Sequence, residues 1–285
     1  MKISELFLSQ ERTFSFEFFP PKDEISAVDF GINVGQLMRL SPSFVTVTYG
    51  AGGSTQERTF NLVDYLQNKI GLTTMAHYTC VNASKPRIQD DLKFLQSRNI
   101  KNIMLLRGDP PKGEEKFVAP QNGFSYANEL ISYVDDNFDF CKAGACYVEK
   151  HPEAKSLEAD LINLKRKVDA GADFLISQLF FDNNYYFSFM EKSKAKGINC
   201  RIIPGIIPIT SYNQIERFTK MSGTKIPPEL SIRLEEHKDN KAKTYQIGLD
   251  YTIKQCQELL AAGAPGIHFY TLNKSRAAIE IFESL

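Results

Sequence analysis

The chain has 285 residues, 34 basic and 34 acidic side chains, 42% hydrophobic and 24% charged residues. That balance excludes an intrinsically disordered chain and leaves no net field to attract nucleic acid or an anionic membrane. No run approaches the roughly 18–20 apolar residues of a membrane span, and the N-terminal MKISELFLSQERTF lacks the apolar centre of a signal peptide.

In chain order the pattern opens with a β-rich run, Thr13–Phe18, followed by Ser43–Thr48. Apolar residues at three- and four-residue spacing then predict a helix over Asn61–Ile70, closed by Gly71. Strand Thr74–Thr79, helix Ile88–Ser97 and strand Asn102–Leu106 come next, then strand Phe140–Tyr147 and helix Leu157–Ala170, closed by Gly171. Strands Phe174–Gln178 and Arg201–Ile206, helix Gln246–Ala262 with Gly263 behind it, and strand Gly266–Tyr270 complete the set. Several strands are nearly uninterrupted apolar or β-branched runs, as strands covered on both faces should be. Helical crossovers imply parallel pairing. Eight such units in about 250–300 residues predict an α/β fold, a single closed (β/α)8 TIM barrel spanning 1–285. The charged interval 221–244, with its Pro227–Pro228 pair, breaks the rhythm. It reads as a surface helix and loop inserted before the last barrel helix, or as a lid or oligomer contact. Five scattered cysteines without a CxxC read as reduced thiols, so a cytoplasmic protein is expected.

In this barrel, chemistry sits where strands end and the following loops begin. Strand 1 ends in FSFEFFPPK, which sets Glu17 among four phenylalanines. A carboxylate there is poorly solvated, and desolvation disfavours its charged form, which suits a proton donor. The alternative is a structural glutamate bonded to backbone or paired with a cation such as Arg107. LLRGDPP puts Arg107, Gly108 and Asp109 at the end of strand 4, as a ligand-approaching loop or an ordinary turn. YGAGGST is glycine-rich but is neither GxGxxG nor a phosphate loop, so a plain tight turn is the stronger reading. On the helix from Leu157, Asp160, Asn163 and Lys167 share a stripe beside Arg166. That stripe could hold a ribityl chain and a pyrophosphate, or be a solvated face. His77 and His151 have no third ligand at plausible spacing, so no metal is expected. Phe180 and Phe181 read as barrel packing.

Together FSFEFFPPK, FVTVTYGAGGS, HYTC, LLRGDPP, HPEAKSLEADLINLKRKVDAGADFLISQLFFD, PGIIPI and HFYTLN resemble the methylenetetrahydrofolate reductase family in order and register. The resemblance runs from about Thr13 to Asn273 and is similar to the short bacterial form, without a regulatory region. It implies a flavin-containing barrel that reduces 5,10-methylenetetrahydrofolate to 5-methyltetrahydrofolate with NAD(P)H by a ping-pong route, in one-carbon metabolism and methionine supply. It implies Glu17 as general acid and Asp109 as the acidic group beside flavin and pterin. Thr48, Tyr49, Ala51, His77, Arg107, Gly108, Asp109, Tyr126, Ala127, Ala145, Tyr147, His151, Asp160, Asn163, Arg166 and Lys167 match positions that hold FAD. Gln178 and Gln214 match folate-contacting glutamines, and Phe218 an aromatic that packs on nicotinamide nucleotide or folate. Lys274 stands where members commonly carry arginine, which keeps the charge for the folate tail but loses a bidentate fork. A homo-oligomer is also expected, with no nucleic-acid or membrane partner. Rival readings are another FAD-dependent barrel, such as a proline dehydrogenase-like enzyme, and a non-catalytic folate- or flavin-binding barrel.

Overall fold

The computed structural model describes residues 1–49, 53–110, 113 and 117–285. Its strands are β1 (Thr13–Phe18), β2 (Phe44–Val47), β3 (Thr74–Thr79), β4 (Asn102–Leu106), β5 (Cys141–Cys146), β6 (Phe174–Ser177), β7 (Arg201–Ile203), β8 (Gly205–Ile206) and β9 (Gly266–Tyr270). All pairings are parallel, in the order β7-β6-β5-β4-β3-β2-β1-β9-β8. The two ends of that order are successive pieces of chain joined by Pro204. The predicted seventh strand is therefore split: β7 pairs with β6, and β8 pairs with β9. Proline has no N–H to donate to the ladder, but its carbonyl accepts from the His268 N–H at 2.9 Å. This seam leaves the α/β barrel nearly closed. At Gly205 an added Cβ would lie 2.2 Å from the Ser177 carbonyl oxygen, so only glycine fits the closure.

Strand alternation divides the side chains between two environments. Outward residues such as Phe16, Phe18, Val45, Tyr78, Ile103 and Leu175 pack against the surrounding helices in the largest core cluster. Inward residues near the strand starts, including Phe44, Met75, Met104, Phe174 and Ile203, fill a second apolar cluster. Helix α1 (Ile3–Ser9) caps that end: Ile3 and Leu6 join the cluster, and the Ile3 N–H donates to Asn102 Oδ1 at 2.7 Å. The sequence reading did not anticipate this plug.

The helices α2 (Glu24–Met38), α3 (Gly53–Tyr65, continued by a π-type turn to Ile70), α4 (Lys85–Ser97), α5 (Ala127–Asn137), α6 (Leu157–Asp169) and α7 (Asn183–Ala195) follow the strands, then α8 (Tyr212–Ser222), α9 (Pro228–Glu236), α10 (Lys241–Ala261) and α11 (Arg276–Phe282). Gly71, Gly171 and Gly263 adopt positive φ (86°, 108° and 88°) behind the helices they were expected to close. The interval 221–244 contains α9, which buries Leu230 and Leu234 against Leu179, Phe181 and Ile247. No helix among the described residues is long and apolar enough to cross a membrane.

Candidate functional site

Glu17 faces into the barrel and is 8% exposed. The phenylalanines on either side do not cause this. Phe16 stacks on Phe269 at 5.7 Å and Phe18 meets Phe30 edge-on at 5.5 Å, both outside the strand ring. The carboxylate is desolvated instead by the barrel interior, where His77 Nε2 lies 3.7 Å and His268 Nε2 3.8 Å from its Oε2. Arg107, the alternative partner, is committed elsewhere: its guanidinium grips Glu153 at 2.5 and 2.8 Å.

Burial holds the His77 pKa down at about 4, against the opposing pull of the Glu17 charge and with a smaller push from His268. His77 is therefore neutral at pH 7, and its contact with Glu17 is not an ion pair. The ring of His268 is fixed by Ser15 Oγ, 2.8 Å from its Nδ1, which turns Nε2 toward Glu17. Tyr270, the register partner of Glu17 across the β1–β9 pair, donates its hydroxyl to the Ser177 carbonyl at 2.6 Å. Its pKa is pushed far up, first by burial and then by the Glu17 charge. Sequence reasoning missed His268, Ser15 and Tyr270. The available signal was parity: Ser15 shares the inward face with Glu17, and His268 with Tyr270.

The remaining predicted residues are spread along the ends of the strands and the segments that follow them. Thr48 and Tyr49 follow β2, where Tyr49 packs against Tyr78 at 5.2 Å. Ala51 lies outside the described residues. Gly108 has φ +87°, and a Cβ there would meet Val81 Cγ2 at 2.5 Å. Asp109 beside it is exposed. Tyr126 is exposed and Ala127 begins α5. Ala145 and Tyr147 come from the end of β5; burial raises the Tyr147 pKa, with Gln178, Asp109, Asp160 and Arg107 as smaller influences, and its ring meets His151 edge-on at 4.7 Å.

The α6 stripe is divided. Asp160 accepts the His151 N–H at 2.8 Å, and Lys167 Nζ donates to the Ala145 carbonyl at 2.8 Å. Burial lowers the Lys167 pKa, opposed by Cys146 and Asp160. Asn163 and Arg166 are exposed and bond to one another at 3.0 Å. Beyond Tyr270, Gln214 and Lys274 line one cavity of about 130 Å³ with Ser211 and Thr271. Phe218 packs beside it, against the cluster of Phe181, Ile207 and Ile215. Phe180 and Phe181 are buried in the core, as expected.

Four buried side-chain atoms on inward strand positions have no hydrogen-bond partner: Thr46 Oγ1, His77 Nε2, Thr79 Oγ1 and His268 Nε2. Buried polar groups are nearly always satisfied, so a ring of orphans at a barrel mouth fits a bound polar ligand. Ala143 and Ala145 on β5 keep the facing wall small. Among the described residues, no three His, Cys, Asp or Glu side chains converge as metal ligands.

A parallel α/β barrel with a buried carboxylate and unsatisfied imidazoles at the C-terminal ends of its strands has the form of a barrel enzyme site. The methylenetetrahydrofolate reductase family profile matches residues 2–285. The chain is 38% identical to methylenetetrahydrofolate reductase (NADH) 1 of Arabidopsis thaliana over 297 residues, covering 100% of this chain and 50% of the relative. It is 35% identical to 5,10-methylenetetrahydrofolate reductase of Escherichia coli (strain K12) over 271 residues, 95% of this chain and 90% of that one. This chain belongs to the methylenetetrahydrofolate reductase family. It spans about half the length of the plant relatives it matches. The fold is also similar to a Clostridium thermocellum protein described as binding two copies of 5-methyl-5,6,7,8-tetrahydrofolic acid, with TM-score 0.66, 15% identity, and 98% and 95% of the two chains covered.

Proposed function

We propose that this chain is a single catalytic barrel that reduces 5,10-methylenetetrahydrofolate to 5-methyltetrahydrofolate, using FAD and an NAD(P)H donor in alternating half-reactions. The observation that carries the reading is Glu17, buried inside the barrel between two imidazole nitrogens, in a chain whose family name states that reaction.

FAD, when bound, supplies reversible hydride transfer. Its isoalloxazine would lie at the mouth near Thr48, Tyr49, His77 and Asp109. Ala145 and Gly108 would leave space for close approach, while Asp160, Asn163, Arg166 and Lys167 would take the ribityl and phosphate groups. For Lys167 and Asp160 this means adding to, or exchanging, their present bonds to Ala145 and His151.

The five-membered ring of the folate must open before a methyl group can form, and a proton on nitrogen 10 drives that opening. Glu17 would give it, as a buried carboxyl group inside the barrel. His77, kept neutral by burial, places no cation on that side of Glu17. Gln178, whose Oε1 accepts from the Leu179 N–H at 2.9 Å, would orient the pterin, and Asp109 would supply negative charge beside it. Gln214 and Lys274 would receive the more distant, acidic part of the folate, with Phe218 packing alongside. A flavin store needs no buried acid, which favours this reading over a non-catalytic barrel.

The test is the colour of the purified protein. It should be yellow, bleach anaerobically with NADH or NADPH, and recolour on adding methylenetetrahydrofolate. A colourless protein that takes up no FAD, or a bleached one that folate does not recolour, would sink the proposal.

A further inference from the structure

The outer face of α2 carries an apolar stripe that nothing in the chain covers. Ile25, Val28 and Ile32 are 80%, 65% and 57% exposed, while Phe30, Val34 and Leu37 take the opposite, core-facing side. Asn33 and Gln36 are occupied along the flank, where both accept from Ser275. Gly31 and Gly35 lie beside the stripe, and a Cβ on either would meet nothing within 4 Å. Glycine inside a helix weakens it relative to alanine, and no close approach within this chain demands one at either position. The ends of the helix differ in charge: Glu24 stands at the first turn and Arg39 just past the last, both exposed. Neither makes an ion pair with another described residue.

We propose that this face of α2 pairs antiparallel with the same face of a second copy of the chain. The pattern is self-complementary about the middle of the helix. Setting Glu24 of one copy opposite Arg39 of the other sets Val28 opposite Gly35 and Ile32 opposite Gly31. Each large side chain then meets a glycine gap, and each acidic end meets a basic one. The two ion pairs fall about 22 Å apart at the 1.5 Å rise of a helix. An isologous two-fold contact requires this reciprocity, in which each residue and its opposite exchange roles across the axis. A lipid surface would gain nothing from an acidic first turn, and an unrelated protein would not account for the matching of the helix to its own reverse.

Sedimentation velocity on the full chain at 0.5–50 µM (about, chosen to span common dimer affinities) tests this. The wild type should sediment as a dimer or a multiple of one. Ile32→Glu, at an exposed position, should halve that mass, and Arg39→Glu should weaken association by at least about tenfold. Combining Glu24→Arg with Arg39→Glu should restore it. A monomeric wild type, an Ile32→Glu variant of unchanged mass, or a charge swap that recovers nothing would each overturn the proposal.

Discussion

Lowering the pH from 7.5 to 5 should weaken the fold through His77 alone by about 2 kcal/mol, the integrated linkage between its two pKa values. The unfolded chain takes up the His77 proton near pH 6.5, whereas the folded chain resists it down to about pH 4. Between those values the folded state binds fewer protons, so stability falls as the pH falls and is unaffected above about pH 7.5. The cause is geometric: the ring is 5% exposed and its Nε2 has no hydrogen-bond partner. The Glu17 charge 3.7 Å away opposes the shift without overcoming it. His77→Gln keeps a polar side chain and removes the titration. Urea unfolding of both proteins at pH 7.5 and 5.0, at matched flavin content, isolates the difference. At an m value of about 2 kcal/mol/M, the wild-type midpoint should drop by roughly 1 M more than that of the variant. If the two weaken in parallel, His77 is not held neutral by burial, and the argument that leaves Glu17 without a cationic neighbour on that side fails with it.

Glu17→Gln should leave flavin reduction by NAD(P)H within a few-fold and slow folate reduction by about 10²–10⁴, as for loss of a general acid. Stopped-flow measurement of the two half-reactions checks this, and a near-normal folate rate would refute the role. His268→Asn should act through Glu17: FAD binding and the NAD(P)H half-reaction should persist while the pH profile of folate reduction shifts. An unchanged profile would reduce His268 to packing. Gly205→Ala should cost about 1–3 kcal/mol by overpacking, because its Cβ would meet the Ser177 carbonyl and the Tyr270 ring at the seam. Unaltered urea or thermal unfolding would mean the barrel closes differently there.

The strands were legible because parallel strands covered on both faces are written as apolar runs, and four of them begin and end where the pattern placed them: Thr13–Phe18, Thr74–Thr79, Asn102–Leu106 and Gly266–Tyr270. What such runs conceal is which face is which. FSFEFF suggests a glutamate embedded in phenylalanine, yet strand alternation sends Phe16 and Phe18 to the helices and Glu17 to the interior. The neighbours that matter to it, His77 and His268, are 60 and 251 positions away in the chain, a proximity only barrel closure creates. The split at Pro204 escaped notice because RIIPGII has the composition of one strand. The α6 stripe was visible as periodicity, but not its division between inward Lys167 and outward Asn163 and Arg166. The plug α1 is only seven residues long, too short to announce itself by periodicity.

That plug, with the packed side chains of Phe44, Met75, Met104, Phe174 and Ile203 behind it, stops the barrel at the end where its strands begin. Nothing can pass through from below, so whatever reacts beside Glu17 must arrive and depart by the same doorway. Two bulky reactants that need the same few ångströms of floor cannot queue inside. On the proposed reading the traffic would alternate, with an electron store kept in the room between visits.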